Sequence, residues 1–560
     1  MIKQNYEYWL NNVNTEASLV EELKNMSEEQ INDAFYTNIE FGTAGMRGIM
    51  GAGTNKINIH TIRKANYGFV KYILSKGEHT KKQGIAIGYD NRHNSYKFAL
   101  DSAKFISGYG IKVYLFSLLA PTPELSFAVR YYNCAGGIMI TASHNTKEYN
   151  GYKIYDETGC QLVPELASQV ITNVNEVEDL LELVANPDDS LIEYVKDEVD
   201  EAYINEVLNI RLNKDIDKNI KIVFSPEHGA SNYPVRETLE RAGYSVVLVE
   251  EQATYDGDFP NTKTPNPEDK KAYELSIKYA QETNSDLILV CDPDGDRMGV
   301  GIKHDNEYVI LNGNQTGALL MEYIFSQMKD KNIMPENPVM FNTVVTSDIG
   351  EAVANYYNVK CEKTLTGFKF IGEKIQQYSI NKKANYVFGY EESYGSLIKP
   401  FVRDKDATQA CLLLAEACAY YNTLNKTLVD VMNDIYARLG YYLDSQTSVV
   451  LPGQQGAELL QNIISNLRTN PLTTICNQKV IKYQDYGLQI EVDNGVKKEL
   501  VGFSKSDVLK YYLEDGSFIA VRPSGTEPKC KIYYSIIDKD YEQCQNKLDI
   551  YNEYMLTLMK

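Results

Sequence analysis

Short apolar runs, each followed by a polar loop and an amphipathic segment, limit the fold of this chain more than any other feature. The runs are rich in β-branched residues and have the length of buried strands. We predict strands over Gly84–Asp90, Lys112–Phe116, Gly137–Ile140, Ile220–Phe224, Ser245–Val249, Asp286–Val290, Pro338–Phe341 and Ala384–Phe388. Buried strands that alternate with helical patterns indicate α/β units with mainly parallel pairing.

Three of these runs resemble one another in the segments that come after them. The stretches that begin at Gly84, Ile220 and Pro338 each pass from a buried strand through a polar loop into a helical pattern. A pattern that recurs at such wide spacing predicts three related α/β domains in tandem, with mixed, mainly parallel sheets.

The C-terminal part has a different pattern. Leu488–Val492 and Ser517–Val521 alternate like antiparallel strands, and residues 539–559 have the period of one amphipathic helix. We therefore predict a smaller α+β fourth domain. The acidic stretch 175–200 is predicted to mark a boundary and to form a solvated helical face. The predicted domain ranges are 1–205, 206–322, 323–450 and 451–560.

Composition narrows the functional classes. The 560 residues carry 56 Lys and Arg against 76 Asp and Glu, a net charge of −20. Such a surface repels nucleic acid backbones and anionic lipid, so we expect neither as a partner. Nine scattered cysteines without a Cys-x-x-Cys pair, no signal-peptide core and no membrane-length apolar run predict a reduced, cytoplasmic protein. An anionic small ligand requires positive charge concentrated in a cleft.

The stretch Asp292–Arg297 (DPDGDR) comes after a predicted strand and places three carboxylates at alternate positions. Oxygen-only ligands favour Mg²⁺ or Ca²⁺. An EF-hand is excluded, because Arg297 stands at the sixth loop position and Lys303 at the twelfth, where Gly and Glu are needed. An acidic turn without a metal is the alternative interpretation.

The stretch Thr141–Asn145 (TASHN) also comes after a predicted strand. Ser143 at the end of a strand, preceded by a small residue, suits an exposed nucleophile. His144 is adjacent to it, and Lys153 supplies an ammonium in the same loop region. The pattern lacks the Gly-x-Ser-x-Gly elbow of α/β-hydrolases, and an ordinary polar turn is the alternative.

A third stretch, Arg522–Lys529 (RPSGTEPK), has the chemistry of a phosphate-binding loop. Arg522 offers a bidentate fork, Ser524 and Thr526 offer hydroxyls, and Gly525 allows main-chain N–H groups to approach an anion. It is not a Walker A loop, and a plain turn would use the same residue types.

The remaining polar loops contain acids, hydroxyls and isolated cations. Gly389–Gly395 (GYEESYG) suits a polyol, because a carboxylate can accept two sugar hydroxyls. Arg403–Asp406 mixes both charges, and Gly42–Gly48 and Asp90–Arg92 each carry an arginine. Most of these loops come directly after predicted strands, and such strand ends face the ligand crevice in α/β sheets.

The motifs TASHN, DPDGDR, GYEES and RPSGT, in this order along nearly the whole chain, resemble the signature of the α-D-phosphohexomutase superfamily. The forms GTAGMRG, TLTGFKFIG and VRDKDA resemble the branch that holds bacterial α-phosphoglucomutases and phosphopentomutase relatives. Two departures are Thr146, where the family usually has Pro, and the looser second-domain loop at Ser225. Neither departure removes a side chain that carries chemistry in the family's motifs.

The resemblance implies four domains around a central cleft and a small-molecule sugar phosphate as substrate. It implies conversion of glucose 1-phosphate to glucose 6-phosphate through a phosphoserine and a glucose 1,6-bisphosphate intermediate, with one Mg²⁺ per subunit. Alternatives with the same chemistry are a phosphomannomutase, a phosphopentomutase or a glucose 1,6-bisphosphate synthase. A non-catalytic sugar-phosphate-binding protein is a more distant alternative. A monomer and a homodimer are both compatible with the sequence.

The resemblance also assigns residue roles. Catalytic residues would be Ser143, His144, Lys153 and Arg47, with His144, Lys153 or Lys405 as the proton shuttle. The metal ligands would be Ser143, Asp292, Asp294 and Asp296. Substrate contacts would come from Arg297, Gly367, Lys369, Glu391, Ser393, Lys405, Arg522, Ser524, Gly525, Thr526 and Lys529.

Overall fold

The computed structural model describes residues 2–42, 45–451, 453–523 and 529–559, without the side chains of residues 453, 454 and 457. The chain divides into two compact units. The first unit holds Met1–Gly313 and Phe368–Thr427, and the second holds Asn314–Gly367 and Leu428–Lys560. The predicted order of α/β repeats followed by an α+β region is confirmed.

The first repeat is built on a mixed sheet whose central strands are parallel. Its strands are β1 Met46–Ile49, β2 Ile85–Tyr89, β3 Val113–Phe116, β4 Gly136–Ile140, β5 Tyr149–Asp156 and β6 Ile192–Val195. They lie in the order β1-β5-β4-β2-β3-β6. β2 is parallel to both β3 and β4, and β3 is parallel to β6. β5 is antiparallel to both β4 and β1.

The second repeat has the same arrangement. Its strands are β7 Lys221–Ser225, β8 Ser245–Leu248, β9 Leu287–Cys291, β10 Met298–His304 and β11 Glu307–Leu311. They lie in the order β11-β10-β9-β7-β8, with β7 parallel to β8 and β9, and β10 antiparallel to β9. The β9–β10 connection therefore occupies the position that the β4–β5 connection has in the first repeat. β4 and β9 are buried along their whole length, as the apolar runs predicted.

The third repeat contributes strands to both units. In the second unit β12 Pro338–Thr343 is parallel to β13 Lys360–Thr364. In the first unit β14 Asn385–Tyr390 is antiparallel to the short strand β15 Ser396–Leu397.

The C-terminal region is an antiparallel sheet packed against helices. Its strands are β16 Tyr441–Val450, β17 Thr474–Ile475, β18 Gln478–Asp485, β19 Ile490–Asp493, β20 Val496–Glu499, β21 Leu509–Leu513, β22 Phe518–Pro523 and β23 Lys529–Asp538. The order is β16-β23-β22-β21-β18-β19-β20, with β17 paired to β18. The alternating apolar side chains of β21, β22 and β23 share one core with the last helix.

The helices are amphipathic or wholly buried segments between these strands. They are α1 Ile2–Asn11, α2 Ala17–Lys24, α3 Glu28–Phe35, α4 Ile59–Ser75, α5 His79–Gln83, α6 Ser95–Ser107, α7 Thr122–Tyr131, α8 Pro164–Asn175, α9 Asp197–Asn209, α10 Asn232–Arg241, α11 Glu274–Thr283, α12 Gly313–Asp330, α13 Ile349–Tyr356, α14 Phe368–Asn381, α15 Ala407–Thr423, α16 Leu428–Leu439, α17 Gly453–Thr469 and α18 Tyr541–Leu558. No helix in the described ranges combines the length and apolarity that crossing a bilayer demands.

The acidic stretch 175–200 differs from its prediction. It holds short 3₁₀ turns at Leu180–Glu182 and Asp189–Leu191, and then the edge strand β6, rather than a continuous helical face. Aspartates cap both turns through their side chains, which is why an acidic composition suits them. The predicted domain boundaries stay predictions; those at 205 and 322 fall inside α9 and α12.

Candidate active site

Ser143 lies in the connection between β4 and β5, at the carboxyl end of a buried strand. Its backbone has a φ of 51°, in the left-handed region that non-glycine residues rarely adopt. The Ser143 N–H donates to Thr141 Oγ1 at 2.8 Å, which satisfies it locally. The hydroxyl donates to Asp292 Oδ2 at 2.9 Å, so the nucleophile predicted in one repeat touches the acid predicted in the next.

The Asp292 loop, residues 292–297, joins β9 to β10 and buries its three carboxylates. Asp292 Oδ1 accepts the N–H groups of Asp296 and Arg297 at 3.1 and 3.0 Å, which curls the loop around this side chain. Asp294 Oδ2 accepts a hydrogen bond from the Thr122 hydroxyl at 3.0 Å. The loop therefore gathers negative charge away from solvent.

The three carboxylates fit a hard divalent cation. Oxygen atoms of Asp292, Asp294 and Asp296 all lie within 4.8 Å of one another. Asp294 Oδ1 and Asp296 Oδ1 are buried and accept no hydrogen bond from the described part of the chain. Burial and the two neighbouring carboxylates raise the pKa of Asp292, because three buried like charges repel one another. A bound divalent ion would relieve that repulsion.

Two lysines neutralise part of this charge. Lys153 Nζ lies 2.8 Å from Asp294 Oδ2 and 3.6 Å from Asp296 Oδ2, and Lys405 Nζ lies 3.1 Å from Asp296 Oδ2. Burial opposes the ammonium form of Lys405, but Asp296 and Asp404 prevail and raise its pKa. Burial likewise opposes ionisation of Asp294, yet the Lys153 ammonium lowers the pKa of this carboxyl.

His144 and Arg47 flank the serine. His144 Nδ1 lies 3.2 Å from Ser143 Oγ. Burial, together with the positive charges of Arg297 and Arg47, lowers the pKa of His144, so its ring is neutral near pH 7. Arg47 projects from β1, is exposed and donates to Asn145 Oδ1 at 2.8 Å. The structure thus places His144 beside the Ser143 hydroxyl, Arg47 on the adjoining Asn145, and Lys153 on Asp294 of the neighbouring loop.

The polyol-type loop after β14 joins the same unit. Glu391 is buried, and its N–H donates to the Gly395 carbonyl at 2.8 Å. Its carboxylate acts on both Lys405 and Arg297, since its charge contributes to the raised pKa of each. Ser393 is half-buried in this loop, and the buried Lys369 lies in the first turn of α14.

Other predicted contacts lie in the second unit or outside the described residues. Gly367 has a φ of 116°, Arg522 lies near the end of β22, and Lys529 begins β23. Ser524, Gly525 and Thr526 lie outside the described residues, as do Thr43 and Ala44 of the loop that precedes Arg47. The phosphate loop at 522–529 therefore remains a prediction.

Two residues of the site were not predicted. Thr122 binds Asp294 twice, through its hydroxyl and through its N–H, which donates to the Asp294 carbonyl at 2.8 Å. Glu268 forms an ion pair with the guanidinium of Arg297. Thr122 begins α7 and Glu268 comes after an Asn-Pro pair, so the local sequence of each indicates only a helix start or a turn.

The repeated α/β domains and a strand-end serine beside a buried acidic triad define a phosphoryl-transfer class of protein. Models of the phosphoglucomutase/phosphomannomutase family match in order: alpha/beta/alpha domain I at residues 38–180, domain II at 201–305, domain III at 312–439 and the C-terminal domain at 477–540. The chain belongs to this family.

One curated relative supports that membership, and two solved structures share the fold. A phosphoglucomutase of Staphylococcus epidermidis is 37% identical over 542 residues, which cover 95% of this chain and 97% of the relative. A crystal structure of a phosphoglucomutase/phosphomannomutase family protein from Burkholderia thailandensis has the same fold, with a TM-score of 0.68 at 16% identity. The match covers 92% of this chain and 97% of the other. The N-acetylphosphoglucosamine mutase of Aspergillus fumigatus, solved with GlcNAc-6P and magnesium, has a TM-score of 0.54 at 12% identity and covers 100% of this chain and 98% of its own.

Proposed function

We propose that this enzyme interconverts glucose 1-phosphate and glucose 6-phosphate through a phosphorylated Ser143. The observation that carries the proposal is the contact of the Ser143 hydroxyl with Asp292 inside a buried cluster of three aspartates and two lysines. The 37% identical relative is itself a phosphoglucomutase. Glucose is the sugar that this relationship favours.

The reaction is a reversible exchange of phosphoryl groups between Ser143 and the sugar, and it needs no other phosphoryl donor in each cycle. The bond between the phosphorus and Ser143 Oγ breaks as the free hydroxyl of the sugar monophosphate forms a new O–P bond and loses its proton, and Ser143 Oγ takes up a proton. The resulting glucose 1,6-bisphosphate reorients. Its other phosphoryl then returns to Ser143 Oγ, which loses that proton, and the freed sugar oxygen gains one. The candidates for moving these protons are His144, Lys153 and Lys405, which lie closest to the serine and the aspartates.

Asp292, Asp294 and Asp296, with an oxygen on Ser143, would hold one Mg²⁺. When bound, this ion supplies positive charge that stabilises the transferring phosphoryl group. The ammonium groups of Lys153 and Lys405 add to that charge and orient Asp294 and Asp296. Replacing Asp294 with Asn should weaken Mg²⁺ binding in calorimetry, whereas Ser117→Ala, which removes a hydroxyl that binds Val195 O, should leave it unchanged.

We further propose that Glu391 and Ser393 bind sugar hydroxyls, with Gly367 and Lys369 in the neighbouring loop. Arg297 would contact the phosphoryl near Ser143. Arg522, Ser524, Gly525, Thr526 and Lys529 would bind the phosphate that is not transferred. These groups suit the chemistry because a carboxylate accepts paired hydroxyls, whereas a guanidinium and hydroxyls donate to phosphate.

The decisive test is Ser143→Ala. We expect turnover to be abolished while Mg²⁺ still binds through the three aspartates, more weakly because one ligand is lost, and while the melting temperature remains close to that of Ser117→Ala. Substantial mutase activity in Ser143→Ala would refute the proposal. Mass spectrometry of the wild type after incubation with glucose 1,6-bisphosphate should reveal a gain of about 80 Da on Ser143. Its absence would favour a sugar-phosphate-binding protein without turnover.

Sugar preference needs its own measurement, because the family model covers phosphomannomutases as well. Values of kcat/KM for glucose, mannose and ribose 1-phosphates, with the matching bisphosphate present, should be highest for glucose. A higher value for mannose or ribose would replace the sugar in the proposal and leave the phosphoserine chemistry in place.

A further inference from the structure

Arg92 is a buried arginine with no assigned role in the reaction. It lies just after β2, and its side chain is wholly removed from solvent. Its guanidinium donates to main-chain carbonyls across the connection from β4 into β5. Nη2 reaches the oxygens of Ser143 and Asn145 at 2.6 and 2.5 Å, and Nη1 reaches those of Thr146 and Tyr149 at 2.7 and 3.1 Å.

These contacts use four of the five N–H groups that a guanidinium possesses. The fifth, on Nε, lies 3.1 Å from Asp90 Oδ2 in an ion pair, but it lacks the geometry of a hydrogen bond and is buried. Because the whole side chain is removed from solvent, it offers no donor to a phosphate or a sugar. The effect of Arg92 on the reaction must therefore pass through the loop.

Asp90 extends the support to the other side of Ser143. Its Oδ2 accepts the Thr141 hydroxyl at 2.6 Å, and Thr141 Oγ1 accepts the Ser143 N–H at 2.8 Å. The carbonyl of Ser143 is thus bound by Arg92, and its N–H is bound through Thr141 to the carboxylate that pairs with Arg92. Both peptide groups next to the Ser143 Cα are fixed by one buried ion pair.

The backbone of Ser143 requires such support. A non-glycine residue in the left-handed region persists only where its surroundings over-determine the conformation. The Phe259 ring also covers the guanidinium, with its centroid 5.3 Å from Arg92 Cζ, and Asn91 Nδ2 donates to the Asp256 carbonyl at 2.9 Å. The ion pair is therefore shielded and held at a fixed distance from the loop.

We propose that Arg92, paired with Asp90, is a positioning residue that holds the strained Ser143 backbone so that its Oγ meets Asp292. This inference rests on the proposed function, since it concerns the geometry of the transferring serine. Arg92 touches neither the sugar nor the phosphoryl. It acts on the rate of phosphoryl transfer and leaves substrate affinity nearly unchanged.

The test is Arg92→Lys, which keeps the charge beside Asp90 and removes the fork. Arg63→Lys is the matched control, because Arg63 makes a bidentate pair with Asp101 and also donates to the Leu183 carbonyl. We expect Arg92→Lys to lower kcat about 10²-fold, as a misplacement near 1 Å does. KM for glucose 1-phosphate should stay within about threefold of wild type. Hydrogen exchange over residues 141–149 should accelerate in Arg92→Lys and not in Arg63→Lys.

Asp90→Asn is the second variant and covers the case in which Arg92→Lys folds poorly. It should slow the transfer of phosphoryl from glucose 1,6-bisphosphate to Ser143, followed by mass, while Mg²⁺ still binds through the three aspartates. A kcat for both variants within about threefold of Arg63→Lys, with unchanged exchange over 141–149, would overturn the inference. If the wild type itself takes up no phosphoryl, the proposed function fails. The exchange comparison then still decides whether Arg92 holds the loop.

Discussion

The Ser143 loop and the Asp292 loop occupy the same place in two successive repeats, yet they are held by different forces. The first joins β4 to β5 and rests on the ion pair of Arg92 and Asp90. The second joins β9 to β10 and packs closely against the loop that comes after β7. The Ala230 N–H donates to the Pro293 carbonyl at 2.8 Å, and a Cβ on Gly229 would lie 2.4 Å from Pro293 Cα.

The two loops are held differently because their buried charges lie in different places. The Ser143 loop is supported by the pair of Arg92 and Asp90, in which the guanidinium opposes the burial that raises the pKa of Asp90. The Asp292 loop carries three carboxylates itself, so a further anion behind it would add repulsion. Glu227 lies in the loop after β7, the strand of the second repeat that corresponds to β2, and burial raises its pKa to about 8, which keeps it protonated near neutral pH. At corresponding places, the first repeat thus holds a charged Arg–Asp pair and the second a protonated carboxyl.

Lys153→Met would break the link between the two loops and has the largest expected effect. Lys153 comes from β5, after the Ser143 loop, and binds Asp294 of the other loop. We expect kcat to fall about 10³-fold, within the range for loss of a proton-transfer or charge-stabilising group. Leaving Asp294 buried without its cation should also destabilise the fold by about 3–5 kcal/mol in EDTA.

The control for that variant is Lys363→Met, which removes a lysine 3.0 Å from Asp348 Oδ1 in the second unit. Both variants should lose stability in urea unfolding. Only Lys153→Met should lose kcat and regain part of its stability with Mg²⁺. An equal Mg²⁺ response in the two variants would contradict the link.

Gly229→Ala would break the packing behind the Asp292 loop. Its new Cβ would meet backbone atoms of Pro293, which cannot move without displacing the aspartates. We expect kcat/KM to fall about 10²-fold, together with weaker Mg²⁺ binding in calorimetry. Gly301→Ala in β10 is the control, because its Cβ would meet only the Ile288 side chain at 3.2 Å. Similar losses in both variants would indicate a general effect on the second repeat.

Thr141→Val would sharpen the comparison by cutting one hydrogen bond in the support of the Ser143 loop. It leaves the Ser143 N–H without its partner and should lower kcat about tenfold, a cost of roughly 1.4 kcal/mol in the transition state. Ser95→Ala removes another hydroxyl from Asp90, at 2.7 Å, and should leave kcat unchanged because Ser95 does not bind Ser143. Equal kcat values in the two variants would mean that the hydrogen bond from the Ser143 N–H to Thr141 does not support the Ser143 loop.

Glu227→Gln has the smallest expected effect, which is confined to pH dependence. The folded protein keeps the Glu227 proton that the unfolded chain releases above about pH 4.5, so this group lowers the free energy of unfolding as pH rises from about 4.5 to about 8. The variant should lack this contribution, which makes its urea midpoint decline less than that of the wild type between about pH 5 and pH 8. Parallel curves for the two proteins would mean that Glu227 is already ionised.

Much of the fold and part of the site can be predicted from local sequence. The predicted strands that lead into Ser143, Asp292 and Glu391 are confirmed, because a short β-branched run before a polar loop is a local signal. Thr122 and Glu268 escaped prediction, because their roles depend on contacts that only the folded chain creates. The prediction of a helical face over the acidic stretch 175–200 was wrong, because its aspartates cap turns instead.

Ser143 and Asp292 are 149 positions apart in the sequence, so the two residues are synthesised at different times. At about 5–20 residues per second, a ribosome makes the serine roughly 7–30 seconds before its aspartate partner. A nascent chain that has completed only the first repeat holds Ser143 without the three aspartates of the second. Under the proposed mechanism, such a chain therefore carries a serine that is not yet competent for phosphoryl transfer.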